Sequence, residues 1–263
     1  MKSFPRKSAH EVFTEKRETD RSADGKCAIG IFIKAPKAGS SKTRLSPPFT
    51  PAECAALSRC FLKDTAENIS NVAREKKDVI GIGVYAPVGS KRNFQVLLPA
   101  DFLLIPQRGE DLGERLRNAA EDLFSAGFGS VCFIGADSPT LPPSYLARMV
   151  DYLGRFRNGM AIGPSADGGY YAIGLKKAIP RLFEDIDWST DRVFEQTKAR
   201  INELGIPRLI LPAWYDVDDE PALRRLFDDL YPTGSMQGAR LAYPALHTKR
   251  FLSRELQRFN PHL

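Results

Sequence analysis

Short apolar runs recur along the middle of the chain, at 27–34, 79–85, 102–105, 131–135, 160–163 and 208–211. Their length and near-continuous apolar character predict β-strands buried on both faces of a sheet. Helix-period patterns lie between several of them, at 112–125, 143–156 and 190–204, and a last one covers 220–230. Thr50-Pro51-Ala52-Glu53 supplies an N-cap, a proline at the first helical position and a capping-box acid. A helix is therefore expected from Pro51 to about Val72, with Leu57, Phe61 and Ile69 among its apolar positions. Alternation of strand and helix predicts one α/β domain with a mainly parallel sheet and helices on both faces. Right-handed crossovers then line up the loops after the strands along one carboxyl edge, where ligands of such sheets bind.

Periodicity fades at both ends. Residues 1–26 are polar and of mixed charge and read as a flexible N-terminal extension. Residues 232–263 read as a basic C-terminal tail, which leaves 27–231 as the domain. The chain has 263 residues, 43% hydrophobic and 27% charged. That is ample for a core and excludes a collagen-like, low-complexity or wholly disordered chain. A net charge of +6 would point to nucleic acid or an anionic membrane, but the charge sits in the ends. Residues 1–26 hold seven Lys/Arg against five Asp/Glu, 232–263 hold five against one, and the body between holds 26 of each. Five cations across a 32-residue tail with few aromatics are a weak electrostatic footprint, so nucleic acid is not the expected partner.

The three histidines, His10, His247 and His262, also lie in those ends. Chemistry in the body then uses no imidazole, and a Ser–His–Asp triad, a Cys–His pair or a His-ligated zinc is not expected. Cys27, Cys54, Cys60 and Cys132 show no CxxC spacing. Cys27 and Cys132 fall in strand-like runs, and Cys54 and Cys60 face different ways on one helix. All four read as small apolar fillers in a reduced compartment. With no N-terminal apolar segment and no run of 18 apolar residues, neither a signal peptide nor a membrane span is expected, and the expected location is cytoplasmic. Oligomeric state leaves no mark in the sequence.

Four motifs follow strand-like runs. The first, Lys34-Ala35-Pro36-Lys37-Ala38-Gly39-Ser40-Ser41-Lys42-Thr43-Arg44-Leu45, gathers four cations, a glycine and three hydroxyls on one loop. Such a loop offers backbone N–H groups and cationic donors to phosphate oxygens, the alternative being a solvated basic loop. It is not a Walker A loop, because Ser41 rather than Gly precedes Lys42-Thr43. The second, Gly135-Ala136-Asp137-Ser138-Pro139-Thr140, ends an apolar strand in a carboxylate. Without histidine, Mg²⁺ or Mn²⁺ on oxygen ligands is the consistent reading, and capping of a Pro139 turn is the other. In the third, Gly163 to Tyr171, the pair Gly168-Gly169 permits positive φ and close ligand approach, Asp167 offers a carboxylate to an acceptor or a metal, and Tyr170 can pack on a ring. The Asp-Gly step there reads equally well as a hairpin turn. In the fourth, Trp214 to Glu220, alternation puts Asp216 and Asp218 on one face of an extended segment. Either completes a metal site with Asp137, unless the acids merely open the final helix, a capping role that suits Asp219 best. Gly109 to Arg115 reads as a helix opening with Asp111 as cap, from which Arg115 can turn to a phosphate. Asp187-Trp188 reads as a helix cap with an aromatic anchor.

KAPKAGSSKTRL, GEDLGERL, GADSPTLPP, GPSADGGYYAIGL, IDWST and WYDVDD occur in this order across roughly 27–230. In that arrangement the chain resembles the glycosyltransferase-A-like family first catalogued as domain of unknown function 2064. The resemblance implies a nucleotide-diphospho-sugar transferase fold, Rossmann-like with three layers, shared with molybdenum-cofactor nucleotidyltransferases and 2-phospholactate guanylyltransferase. It further implies that Gly39, Lys42 and Arg44 cradle nucleotide phosphates, with Lys34, Thr43 and Arg115 the other phosphate-binding candidates. Asp137 would bind the divalent metal, joined by Asp216 or Asp218. The Gly-Gly and Arg-Met-Gly pattern of the molybdenum-cofactor enzymes is missing from the first loop, so base recognition does not carry over. The leading expectation is a metal-dependent transferase that uses an activated nucleotide, with a nucleotide-sugar as donor and a small molecule as acceptor. Lys42, Arg44 and the loop N–H groups would stabilise charge on the leaving phosphates. Asp167 would orient or deprotonate the acceptor, beside Ser138, Gly168, Gly169 and Tyr170. Nucleotidyl transfer with pyrophosphate release is the alternative, and a non-catalytic nucleotide-binding or nucleic-acid-binding protein is the third reading.

Overall fold

Alternate residues of the first strand face two different cores. In the computed structural model, which describes residues 23–232 and 242–259, strand β1 is Cys27–Lys34. Its Cys27, Ile29, Ile31 and Ile33 join one buried cluster, and Ala28 joins the other. This two-sided burial is the physical reason the run is apolar throughout. The remaining strands are β2 Val79–Ala86, β3 Leu103–Pro106, β4 Ser130–Gly135, β5 Met160–Pro164, β6 Tyr170–Leu175 and β7 Arg208–Ile210. They form one sheet in the order β3-β2-β1-β4-β6-β5-β7. Only β6 runs antiparallel, to both β4 and β5; the other pairings are parallel. The helices are α1 Pro51–Glu75, α2 Lys91–Gln95, α3 Leu112–Ser125, α4 Pro143–Arg155, α5 Val193–Glu203, α6 Glu220–Leu230 and α7 Leu246–Phe259. One face of the sheet packs against α1 and α4 through Leu62, Ile69, Leu146 and Met149. The other packs against α3 and α5 through Leu116, Leu123 and Ile201. This is the three-layer α/β arrangement expected from the sequence.

Local signals act where the sequence puts them. Thr50 Oγ1 accepts the Glu53 N–H while the Glu53 carboxylate accepts the Thr50 N–H at 2.8 Å, closing the capping box of α1. Asp111 caps α3 and Asp219 caps α6, each accepting the N–H three residues on.

A third apolar cluster decides where the functional loops sit. Leu45 from the first loop, Leu57 and Phe61 of α1, Tyr215 and Val217, and Leu223 and Leu226 of α6 are buried together with Leu252 of α7. The first loop and the last acidic segment are thus pinned to one another although they lie far apart in sequence. The register of β1 on β4 pairs Phe32 with Gly135, so the loops that leave these strands start side by side. The turn from β5 to β6 emerges at the same edge.

Three elements go beyond the strands and helices read from the sequence, the first being the short helix α2, Lys91–Gln95. Strand β6 is the second arm of the hairpin that the Asp-Gly step offered as one of two readings; it is missing from the apolar runs because it follows a glycine-rich turn and carries Gly174 inside it, which dilutes the strand signal. Helix α7 falls in the segment expected to lose periodicity, and it packs Leu252 into the third cluster. Its N-terminus is held from α1, where the buried Asp64 carboxylate accepts the N–H groups of His247 (2.9 Å) and Thr248 (2.8 Å) and the Thr248 hydroxyl (2.6 Å). Most of the expected N-terminal extension, 1–22, and much of the expected tail, 233–241 and 260–263, lie outside the described residues. Among the described residues no helix is long and apolar enough to cross a membrane.

All four cysteines are free thiols. Cys27, Cys54 and Cys132 are buried as expected, and Cys60 is half-buried. Burial, reinforced by the nearby Asp64 carboxylate, pushes the Cys60 thiol up to about 11. At pH 8 it should therefore react with iodoacetamide about 10²-fold more slowly than an unperturbed cysteine. Peptide mass spectrometry of a timed alkylation checks this.

Candidate active site

The strand ends and the third cluster bring a lysine and two carboxylates together. Lys42 Nζ lies 2.5 Å from Asp137 Oδ1 and 2.7 Å from Asp218 Oδ1. The lysine side chain is 5% exposed, whereas the two carboxylates are 47% and 51% exposed, so the cation sits on the inner side and each acid keeps a face open. Burial alone would depress the Lys42 ammonium. The Asp137 and Asp218 charges and hydrogen bonds outweigh it and hold the group above the ordinary lysine value. The Phe61 ring lies 5.4 Å from Nζ. Lys42 itself has φ of 50°, in the left-handed region. That is an unusual conformation for a side-chain-bearing residue, of the kind that clusters at functional sites.

The last acidic segment is stitched to the β4 end through its backbone: the Val217 N–H donates to the Asp137 carbonyl at 2.8 Å. Tyr215 and Val217 are buried in the third cluster, which turns Asp216 and Asp218 to the other side, as the alternation predicts. Their partners differ. Asp218 meets Lys42, while Asp216 accepts the hydroxyls of Ser138 (2.5 Å) and Ser165 (2.8 Å). Burial raises the Asp216 pKa, with the two hydroxyls pulling it back and the Asp137 and Asp167 charges adding to the rise. Asp216 thus ties the β4 loop to the β5–β6 turn, and the hydroxyl of Ser138, an expected acceptor contact, is engaged here.

Lys42, Asp137 and Asp218 border a cleft of about 640 Å³ along the carboxyl edge. The first loop lines it with Lys34, Ser40, Ser41 and Lys42, the β4 loop with Asp137, and the start of α3 with Leu112 and Arg115. Arg115 is aimed by two backbone carbonyls, of Gly109 at 3.0 Å and Glu110 at 3.1 Å. Gly39 takes a φ of 78° at the turn of the loop. Gly39, Thr43 and Arg44 do not line this cleft; Thr43 and Arg44 are exposed on the short 3-10 turn Thr43–Leu45.

Two side chambers adjoin the cleft. One, of about 570 Å³, shares Lys34, Ser40, Gln107 and Arg115 with it and adds the apolar wall Ala86, Pro87 and Val88. The other, of about 300 Å³, shares Leu112, Trp188 and Ser189 with it and brings in Asp167, Gly169, Tyr170, Asp191 and Asp216. Here the third motif forms the hairpin that its Asp-Gly step signals. Ser165 N–H donates to the Gly169 carbonyl, and Asp167 Oδ1 accepts the Gly169 N–H at 3.0 Å. Gly168 has the expected positive φ, 87°. The group that approaches it closely is a backbone carbonyl of the protein, Asp191 O, which would lie 2.1 Å from an added Cβ.

Sequence reasoning missed Trp188 and Gln107 as site residues. The Trp188 indole packs where Gly113 leaves no Cβ in its way, and it meets Tyr170 edge-on, with centroids 6.4 Å apart. The neighbouring Asp187 does not cap a helix, because α5 starts only at Val193. Instead its backbone N–H and carboxylate bond the Gln196 side chain. Gln107 is buried and donates to the carbonyls of Ile33 (3.0 Å) and Val84 (2.8 Å), bracing the ends of β1 and β2.

Another group with ligating atoms lies elsewhere, where Asp64, Glu67 and His247 bring one ligand atom each within 4.8 Å. That is a possible metal group, but Asp64 already holds the start of α7, and none of the three lines the cleft.

Residues 71–190 match the model of a family described as uncharacterized protein conserved in bacteria (DUF2064). This is the family that the motifs resemble. The DUF2064 match spans Asp137, Asp167 and Trp188, while Lys42 and Asp218 lie outside it. No curated protein matches the chain. Among solved structures, a proposed nucleotide-diphospho-sugar transferase from Desulfovibrio desulfuricans G20 is 28% identical, with a TM-score of 0.75 over 88% of this chain and 95% of that one. The fold is thus the nucleotide-diphospho-sugar transferase fold. More distant likenesses include a cytidylyltransferase from Leptospira borgpetersenii serovar Hardjo-bovis, 14% identical with a TM-score of 0.49 over 90% of this chain and 95% of that one. Another is a 4-diphosphocytidyl-2C-methyl-D-erythritol synthase, 13% identical with a TM-score of 0.49 over 77% and 97%.

Proposed function

We propose that the protein is a metal-dependent transferase that takes an activated nucleotide, with a nucleotide-sugar as donor and a hydroxyl-bearing small molecule as acceptor. The observation that carries this reading is the convergence of Lys42, Asp137 and Asp218 in a cleft lined by the cationic first loop. Asp137 and Asp218 fit a hard divalent cation: two half-exposed carboxylates from different loops already share one cationic partner, and no imidazole lines the cleft. Mg²⁺ or Mn²⁺ held there would neutralise charge on the diphosphate as it leaves. Asp216 is spoken for by its two serines, and its part is to fix the segment that carries Asp218. Asp218→Asn should therefore weaken Mn²⁺ binding, followed by the electron paramagnetic resonance signal of free Mn²⁺, and Asp216→Asn should leave it in place. Equal losses would make Asp216 a ligand.

Lys34, Arg115 and the N–H groups of the first loop would hold the phosphates, with Lys42 stabilising the leaving charge. The chamber walled by Ala86, Pro87 and Val88, flanked by Lys34 and Arg115, suits the nucleoside. The opposite chamber suits the acceptor, and its lining bears on which of two reactions takes place there. It carries the carboxylates of Asp167, Asp191 and Asp216, two aromatic rings and no lysine or arginine. A phosphate acceptor would meet three carboxylates there, whereas a neutral hydroxyl would find acceptors for its proton. Asp167 would orient or deprotonate that hydroxyl. This favours glycosyl transfer over nucleotidyl transfer to a phosphate. The free thiols accord with a reducing, cytoplasmic setting.

Incubation with nucleotide-sugars and nucleoside triphosphates, each with Mn²⁺ and a panel of acceptors, tests the reading. Release of nucleoside diphosphate from a nucleotide-sugar is expected. Release of pyrophosphate from a triphosphate would turn the assignment to nucleotidyl transfer.

A further inference from the structure

Lys42 occupies the place that a divalent cation would take. Its ammonium touches one oxygen of Asp137 and one of Asp218. A lysine at a phosphate site ordinarily points at phosphate as a mobile point charge on a flexible stem. This one is withdrawn, its side chain almost wholly covered and its nitrogen over the Phe61 ring. It is anchored from below by Leu45, three residues on, which is buried in the third cluster. Two carboxylates this close repel one another unless a cation lies between them. The ammonium supplies that cation.

We propose that Lys42 is a built-in counter-cation that competes with the divalent metal for the Asp137–Asp218 pair. The inference deepens the metal assignment made above and rests on it. A doubly charged ion and an ammonium cannot share the same two oxygens without strong repulsion. Metal binding therefore drives Lys42 outward into the cleft, where Lys34, Ser40 and Arg115 mark the place of an anion. A diphosphate there gives the displaced ammonium a new partner. Metal and diphosphate would consequently favour each other's binding, and by linkage the preference is reciprocal. Without a diphosphate, the site holds its own cation, keeps its carboxylates paired and binds free metal weakly.

The test uses the full chain and Mn²⁺ alone, read by the signal of free Mn²⁺ in electron paramagnetic resonance, so it does not depend on turnover or on an identified donor. Removing the competitor should tighten binding: Lys42→Met is expected to bind Mn²⁺ about tenfold more tightly than the unaltered protein, or better, within the usual range of coupling between sites. Lys42→Gln serves as a second neutral replacement should the methionine variant fold poorly, with circular dichroism checking both. Adding Asp137→Asn to the lysine variant should abolish the gain, which places the ion at this pair. Equal or weaker Mn²⁺ binding by the folded lysine variants, no binding by any of them, or a gain that survives Asp137→Asn, would overturn the proposal. Failure of the transferase reading would show differently, as absence of turnover with every donor while the Mn²⁺ gain persists.

Discussion

Asp137→Asn should lower metal-dependent turnover by about 10²-fold or more, the loss seen when one element of a preorganised electrostatic site is removed. Asp137 stands at the end of β4, in the middle of the sheet, where its carboxylate meets Lys42 at 2.5 Å and its carbonyl accepts the Val217 N–H at 2.8 Å. The substitution keeps the backbone bond and removes only the charge, so the loss should appear in kcat/KM while the melting temperature changes little. Lys42 would lose one of the two carboxylates that offset its burial and become free to pair with Asp218 alone. Raising the Mn²⁺ concentration should recover part of the activity if the lost charge serves the metal. A variant that keeps full Mn²⁺-dependent turnover would refute the assignment of Asp137.

Gly168→Ala should be the most damaging small substitution near the site. The position has φ of 87°, and the new methyl would lie 2.1 Å from the Asp191 carbonyl oxygen, a backbone atom that cannot swing aside as a side chain can. The Gly168 carbonyl also accepts the Phe194 N–H at 2.9 Å, so the hairpin cannot move without loosening the start of α5. Strain of this kind costs about 3 kcal/mol, which for a domain of this size lowers Tm by about 6–12 °C. Asp167 and Gly169 on either side line the smaller chamber, so acceptor use should fall along with stability. Thermal denaturation and acceptor KM together check the expectation. An unchanged Tm would mean that the turn relaxes freely.

The fold was legible wherever a short-range signal decides structure. The capping box at Thr50, the caps at Asp111 and Asp219 and the two-sided apolar run of β1 all act within a few residues of themselves. The limit shows at α7. Its buried Leu252 and the cap that Asp64 provides belong to contacts with α1, about 180 residues earlier in the chain, and the local sequence there is dominated by basic residues. Strand β6 was legible only as one arm of an alternative hairpin, because its partners on both sides are set by topology and a glycine-rich turn precedes it.

For the site, residue types and loop positions were legible and pairings were not. Asp216 and Asp218 are equivalent by alternation, and only the hydroxyls of Ser138 and Ser165 separate a positioning carboxylate from one that meets Lys42. Trp188 and Gln107 were out of reach for the same reason. Each gains its place in the cleft from a tertiary neighbour, Gly113 for the indole and the β1 and β2 carbonyls for the amide. Charge was more informative once divided along the chain, because the neutral body concentrates its cations on one loop and its acids at strand ends.

The central claim is that the cleft binds a nucleoside diphosphate together with a divalent metal through Asp137. Thermal shift with UDP, GDP, CDP, ADP and dTDP, each with Mn²⁺ or Mg²⁺, tests it most directly. One diphosphate with metal should stabilise the protein, by about 2.7 kcal/mol at 100 times its Kd, and Asp137→Asn should lose that shift. No shift with any of the five, or a shift that Asp137→Asn leaves intact, would contradict it.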